Sequence, residues 1–136
     1  MKKPKGFSLT ELMIVVSIIS ILVVLGINVY SRQIERGRDA KRQAHLQQIR
    51  AALELYRSDL SVSGGTYPST LTVTDFTPDY INMTTISDPR GYTYYYRRMS
   101  ATTYQLCAYL EAGGKDNCGA FCGSAPGNCN YETTNP

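Results

Sequence analysis

Apolar residues follow three different patterns along the chain. From Phe7 to Tyr30 ("FSLTELMIVVSIISILVVLGINVY") they form a nearly unbroken run. At roughly 20 residues such a run is long enough for a helix that crosses a bilayer. The sequence then turns polar, and beyond Gly37 apolar positions return at Leu46, Ile49, Leu53, Tyr56 and Leu60, in steps of 3, 4, 3 and 4. That spacing marks one face of a helix, and the Ala, Gln, Arg and Leu around it are good helix formers. Together the two stretches predict one helix from Phe7 to about Leu60. Gly37 is its expected bend, since glycine costs about 1 kcal/mol against alanine in a helix interior. "SVSGGTYPST" ends the helix with Gly64, Gly65 and Pro68.

The third pattern alternates. "YTYYYRR" sets Tyr92, Tyr94 and Tyr96 on one face and Thr93, Tyr95 and Arg97 on the other. "TYQLCAYLE" sets Tyr104, Leu106, Ala108 and Leu110 opposite Gln105, Cys107 and Tyr109. "RMSATT" between them suits a hairpin loop, and "SDPRG" before them a turn. The expected class is therefore α+β. A long amino-terminal helix has a second half packed, through the 46/49/53/56/60 stripe, on an antiparallel sheet of about three strands, with a disulfide-bonded loop region at the carboxy terminus. The organisation follows: 1–6 a short basic stretch ending in Gly6, 7–30 apolar helix, 31–61 amphipathic extension, 62–136 small head with a cysteine-rich tail.

Charge narrows the function. The 14 bases and 11 acids are unevenly placed. Lys2, Lys3 and Lys5 precede Gly6, Arg32 to Arg57 holds seven bases against three acids, and from Ser58 onward there are four bases against seven acids. A head with a net charge of −3 argues against nucleic acid as a partner. The bases from Arg32 to Arg42, diluted by Glu35 and Asp39, read as a polar collar where the helix leaves the membrane. His45, the single histidine, lies off the apolar stripe and reads as a solvated helix residue. The eleven tyrosines read as amphipathic packing residues. Asn82-Met83-Thr84 fits the glycosylation sequon, a pattern short enough to arise by chance. No catalytic set, phosphate loop or ligand cluster is visible, so neither an enzyme nor a cofactor is expected.

All four cysteines, Cys107, Cys118, Cys122 and Cys129, fall in the last 30 residues. An even number in a small glycine-rich region indicates disulfides and an oxidising compartment. Their spacing lacks the two close pairs of a four-cysteine zinc site. Of the three possible pairings, Cys107 with Cys118 and Cys122 with Cys129 is the expected one. The tail buries too little apolar surface to order itself, so cross-links must supply the order.

The leading segment is more specific than its length. A secretory signal has an apolar core of about 7–15 residues and a small-residue cleavage site, and this segment is too long and has no such site. A plain anchor leaves Glu11 unexplained, because a carboxylate within a membrane-spanning helix costs about 2.5–3.5 kcal/mol at the helix centre. The string "KGFSLTELMIVVSIISIL" resembles the amino terminus of type IV prepilins and of the pseudopilins of type II secretion: a basic leader ending in Gly, then Phe, three residues, Glu, and an apolar helix. Gly6, Phe7 and Glu11 occupy those positions. The resemblance implies cleavage between Gly6 and Phe7 by a membrane prepilin peptidase, N-methylation of Phe7, and retention of the helix on the mature protein. Where relatives often carry Gly and Pro and the helix can unwind, this chain has Ser20 and Asn28, with Gly26 nearby; local melting is left open.

What the resemblance implies about function is a structural subunit of a type IV pilus-like filament. The subunit is a single-pass protein of the inner membrane, in contact with lipid, before an assembly platform adds it to a homo-oligomeric helical polymer outside the cell. Glu11 then pairs with the Phe7 amine of the next subunit. One alternative is a pseudopilin forming a periplasmic filament. Major pseudopilins commonly bind calcium near the end, however, and this tail offers only Asp116 and Glu132, a poor set for an ion that takes six to eight oxygens. A further alternative is a minor pilin that binds DNA or a surface.

Overall fold

A computed structural model describes residues 6–71, 80–81, 86–115 and 118–135. The sequon at Asn82 and the carboxylate of Asp116 lie outside the described residues. The elements run α1 (Leu9–Ser58), α2 (Leu60–Ser63), β1 (Tyr95–Arg98), β2 (Tyr104–Ala108) and β3 (Tyr131–Thr134). This is the expected α+β class: a long amino-terminal helix, a small antiparallel sheet and a cross-linked carboxy-terminal region. The chain divides into two compact units, Met1–Glu35 and Arg36–Pro136.

The first unit is the apolar part of α1. Its large side chains, from Leu12 through Val24 to Tyr30, are all exposed. Its serines are satisfied within the helix: Ser17 Oγ donates to the carbonyls of Met13 and Ile14 at 2.9 and 2.8 Å, and Ser20 Oγ to that of Val16 at 2.7 Å. Such back-bonding removes the penalty of an unpaired hydroxyl in an apolar setting. The helix is assigned without a break through Gly26.

In the second unit the remainder of α1 buries one face. Leu46, Ile49, Ala52 and Leu53 are at most 2% exposed and join Tyr67, Ile86, Tyr104, Leu106 and Ala108 in one core. Each large aliphatic side chain buried there contributes about 1.5–3 kcal/mol. Leu60, expected at the end of the buried stripe, is instead 72% exposed. The physical reason is a change of register: α1 ends at Ser58, and Asp59 caps α2 by accepting from the Ser61 N–H at 3.1 Å. Gly64, in the left-handed region at φ 59°, closes that turn.

The sheet has the order β1-β2-β3 and is antiparallel throughout. Tyr95 lies opposite Cys107 and Arg98 opposite Tyr104, and the Met99–Thr103 loop is closed by Met99 N–H donating to the Thr103 carbonyl at 2.9 Å. The third strand comes from the tail, with Tyr131 opposite Ala108 and Thr134 opposite Gln105. Tyr94, Tyr96, Tyr104, Leu106, Ala108 and Tyr131 share the face packed on the helix. The opposite face is also covered: Cys107, fully buried, sits with Cys118, Cys122 and Cys129 beneath Tyr95, Tyr109 and Ala125.

That second layer is the disulfide tail. The structure pairs Cys107 with Cys118 and Cys122 with Cys129. Backbone bonds reinforce the staples, among them Cys129 N–H to the Ala120 carbonyl at 2.9 Å and Thr93 N–H to the Cys122 carbonyl at 3.3 Å. Asn130 ties the layer to the end of β2 twice: its Oδ1 accepts the Leu110 N–H at 2.6 Å, and its Nδ2 donates to the Leu110 carbonyl at 2.9 Å. Gly114 must be glycine for this packing, because a Cβ there would lie 1.7 Å from the Asn130 carbonyl oxygen.

Candidate functional site

The residues singled out at the amino terminus lie at the start of α1. Gly6 and Phe7 precede the helix, and Phe7 is 87% exposed. Among the described residues a Cβ placed on Gly6 would meet nothing within 4 Å. Ser8 supplies the first helical acceptor, its carbonyl receiving the Leu12 N–H at 3.2 Å. Glu11 lies in the first turn and is exposed. Its Oε2 accepts the Ser8 backbone N–H at 3.1 Å, while the Ser8 and Thr10 hydroxyls pair at 2.7 Å. Glu11 is thus engaged within its own helix, a bond that the spacing of Ser8 and Glu11, three residues apart, makes legible.

Beyond Glu11 the segment is long and apolar enough to cross a membrane, with a mean hydropathy of 2.8 over 18 residues. Monomeric soluble proteins rarely expose contiguous apolar patches beyond a few hundred Å². A helix apolar on all sides is buried in lipid or in other protein.

A second constellation was misread from sequence. Arg42 is fully buried. Its Nε donates to Asp88 Oδ2 at 2.5 Å, its Nη1 to Asp39 Oδ1 at 2.8 Å, and its Nη2 lies 2.8 Å from Glu111 Oε1. Its guanidinium also lies over the Tyr92 ring, 5.1 Å from the centroid. Arg38 reaches Glu111 with both Nε, at 2.8 Å, and Nη2. The carboxylates are held a second time by backbone: Asp39 accepts the N–H groups of Glu111 and Ala112 at 2.9 and 2.8 Å, and Asp88 those of Arg90 and Tyr92 at 2.7 and 3.2 Å.

Arg38 and Arg42 are therefore not part of a solvated collar. They clamp the helix to the loop carrying Asp88 and to the residues after β2. Arg42 stands four before Leu46 and seven before Ile49, so the apolar stripe continues through it. His45 is likewise buried rather than solvated. It stands four before Ile49 and seven before Ala52, and its Nδ1 lies 2.7 Å from the Tyr94 hydroxyl.

The electrostatics follow the geometry. Burial alone would weaken the Arg42 charge, but hydrogen bonds to Asp88, Glu111 and Asp39 outweigh it and raise its pKa. The Arg38 hydrogen bonds lead in holding Glu111 down to about 2, with Arg42 adding to them against the opposing effect of burial. Burial pushes Asp88 up, yet Arg42 and the two backbone N–H groups bring it below the usual carboxylate range. For His45 burial dominates, and with Lys41 it lowers the pKa against the pull of Asp88.

Residues 1–27 match the family described as the prokaryotic N-terminal methylation motif. Neither a curated protein nor a solved structure matches the chain. The matched stretch contains Gly6, Phe7 and Glu11 and most of the exposed apolar helix. The chain therefore carries the prepilin-type signal shared by type IV pilins and pseudopilins.

Proposed function

We propose that this protein is a structural subunit of a type IV pilus-like filament, cleaved between Gly6 and Phe7, methylated on the Phe7 amine, and assembled through its apolar helix. The single observation that carries the reading is the methylation motif over residues 1–27, set on a helix whose apolar side chains are exposed on every side. Before assembly that surface is covered by the lipid of the inner membrane, and an assembly platform transfers it to the polymer. In the polymer other copies cover it, and a heterologous contact that does not close on itself generates a helical filament.

Cleavage leaves a cationic amine at Phe7, four residues from Glu11. An axial stagger of neighbouring subunits brings one copy's amine to the next copy's carboxylate. At about 4 Å and an effective dielectric near 20 that pair is worth about 4 kcal/mol. A subunit added out of register leaves the amine and the carboxylate without an opposite charge from a neighbouring copy in apolar surroundings, which disfavours it. Glu11 in this reading selects the register. No enzymatic step falls to the chain itself; its chemistry is that of a substrate for the peptidase and methylase. The heads, stapled by two disulfides, face outward.

Disulfides form in the periplasm as well as outside the cell, and what favours a filament outside the cell over a periplasmic pseudopilin is the tail's sequence, whose Asp116 and Glu132 are a poor set for calcium. The test replaces Glu11 by Val in the full chain, in cells that make it. Insertion and cleavage should persist while surface fibres disappear from electron micrographs. Fibres of normal number and length would refute the proposal, and a deletion that stalls protein export while leaving fibres unchanged would point to secretion.

A further inference from the structure

In the isolated subunit Glu11 already has a partner. Leu9, Thr10 and Glu11 are the first three residues of α1, and Ser8 precedes them with its carbonyl already accepting the Leu12 N–H. Ser8 and Glu11 are therefore the end positions of a capping box. In such a box the third helical residue reaches back to the backbone N–H of the residue before the helix. That contact is present, from Ser8 N–H to Glu11 Oε2 at 3.1 Å. The Ser8 hydroxyl is turned to Thr10 Oγ1, 2.7 Å away.

We propose that Ser8, through its backbone N–H, is the positioning residue for Glu11. It ties one carboxylate oxygen to the subunit's own helix and leaves Oε1 to receive the amine of a second copy. The inference rests on the reading of Glu11 as the assembly carboxylate. Four physical arguments support it. The first N–H groups of a helix have no acceptor within the helix, and at the edge of an apolar phase an unsatisfied one is costly. A carboxylate has room for about four hydrogen bonds, so the bond to Ser8 leaves the second oxygen open. A glutamate already fixed at one oxygen loses less rotamer freedom when the second copy docks. The negative charge also lies at the positive end of the helix dipole, which favours it there with or without a partner. The register-selecting group is thus prepared before assembly.

The test measures amide hydrogen exchange at residue 8 in the full chain held in phospholipid nanodiscs, and fibre formation in cells, for the same set of variants. Ser8 N–H should exchange about tenfold more slowly in the parent than in Glu11→Ala. Glu11→Gln, which retains an acceptor without the charge, should keep most of that protection and still form no fibres. Ser8→Ala, which retains the backbone donor, should keep both the protection and the fibres. Exchange at residue 8 that is equally fast in the parent and in Glu11→Ala overturns the positioning role, whatever the fibres do. So does Glu11→Asp if it exchanges as fast as Glu11→Ala and yet assembles as the parent does. Fibres from Glu11→Ala with slow exchange in the parent would instead sink the assembly reading and leave the cap intact.

Discussion

Replacing Arg42 by methionine should markedly destabilise the head. The guanidinium is fully buried and contacts three carboxylates, Asp39, Asp88 and Glu111, at 2.5 to 2.8 Å. Removing one partner of a buried ion cluster commonly costs 3–5 kcal/mol, because the charges left behind stay desolvated. Here the remaining acids are not abandoned. Asp39 and Asp88 each keep two backbone N–H donors, and Glu111 keeps Arg38. Methionine also recovers part of the packing volume. The expected loss is therefore at the lower end, about 3 kcal/mol. Small domains have only about 5–15 kcal/mol in total. Urea unfolding of the full chain in detergent, followed by the near-UV circular dichroism of the tyrosines, reads it directly. Arg42→Lys should fall between the two, since an ammonium keeps the charge but lacks the planar fork. A methionine variant within 1 kcal/mol of the parent would refute the reasoning that the cluster is desolvated and mutually dependent.

Further outcomes follow from the same architecture. Cutting either staple, by Cys107→Ser with Cys118→Ser or by Cys122→Ser with Cys129→Ser, should cost about 2–3 kcal/mol for loops this short. It should also open the tail to protease before the rest of the head; equal digestion of parent and variants would contradict the account. Gly114→Ala should be strongly destabilising, because its Cβ would overlap the Asn130 carbonyl oxygen. Gly37→Ala, whose Cβ meets nothing within 4 Å, should stabilise α1 by up to about 1 kcal/mol in the same urea assay. Stability should fall with acid in two steps. The lowered pKa of His45 makes its contribution present above pH 6.5 and lost as the pH falls below that value. Glu111, held at about 2 against 4.5, contributes fully above pH 4.5 and loses its share between 4.5 and about 2. His45→Gln should abolish the first step and Glu111→Gln reduce the second, as read by unfolding midpoints across pH.

Apolar periodicity carried most of the fold. Leu46, Ile49 and Leu53 are fully buried, and the alternation in β2 separates the helix-facing Tyr104, Leu106 and Ala108 from Cys107. What periodicity could not convey is what happens when a polar residue takes an apolar position. Arg42 and His45 lie on the buried face of α1, and their charge or polarity hid them. Their partners, Asp88 and Glu111 for one and Tyr94 for the other, are 46 to 69 residues away in sequence, beyond any local signal. The third strand was hidden for a similar reason. "YETT" has no apolar alternation of its own, and it becomes a strand because Asn130 and the disulfide layer place it beside β2. At the amino terminus the motif of Gly6, Phe7 and Glu11 was legible from residue identity and spacing. The bond from Ser8 to Glu11 needed only a local pattern already present in the same string.

The central claim concerns a terminus created by cleavage, and intact-mass analysis of the chain purified from the cell envelope, followed by sequencing of its first peptide, tests it most directly. The account requires a mature chain that begins at Phe7 and bears one methyl group on that residue's amine. A mature chain that still begins at Met1, with Gly6 and Phe7 joined, would contradict it.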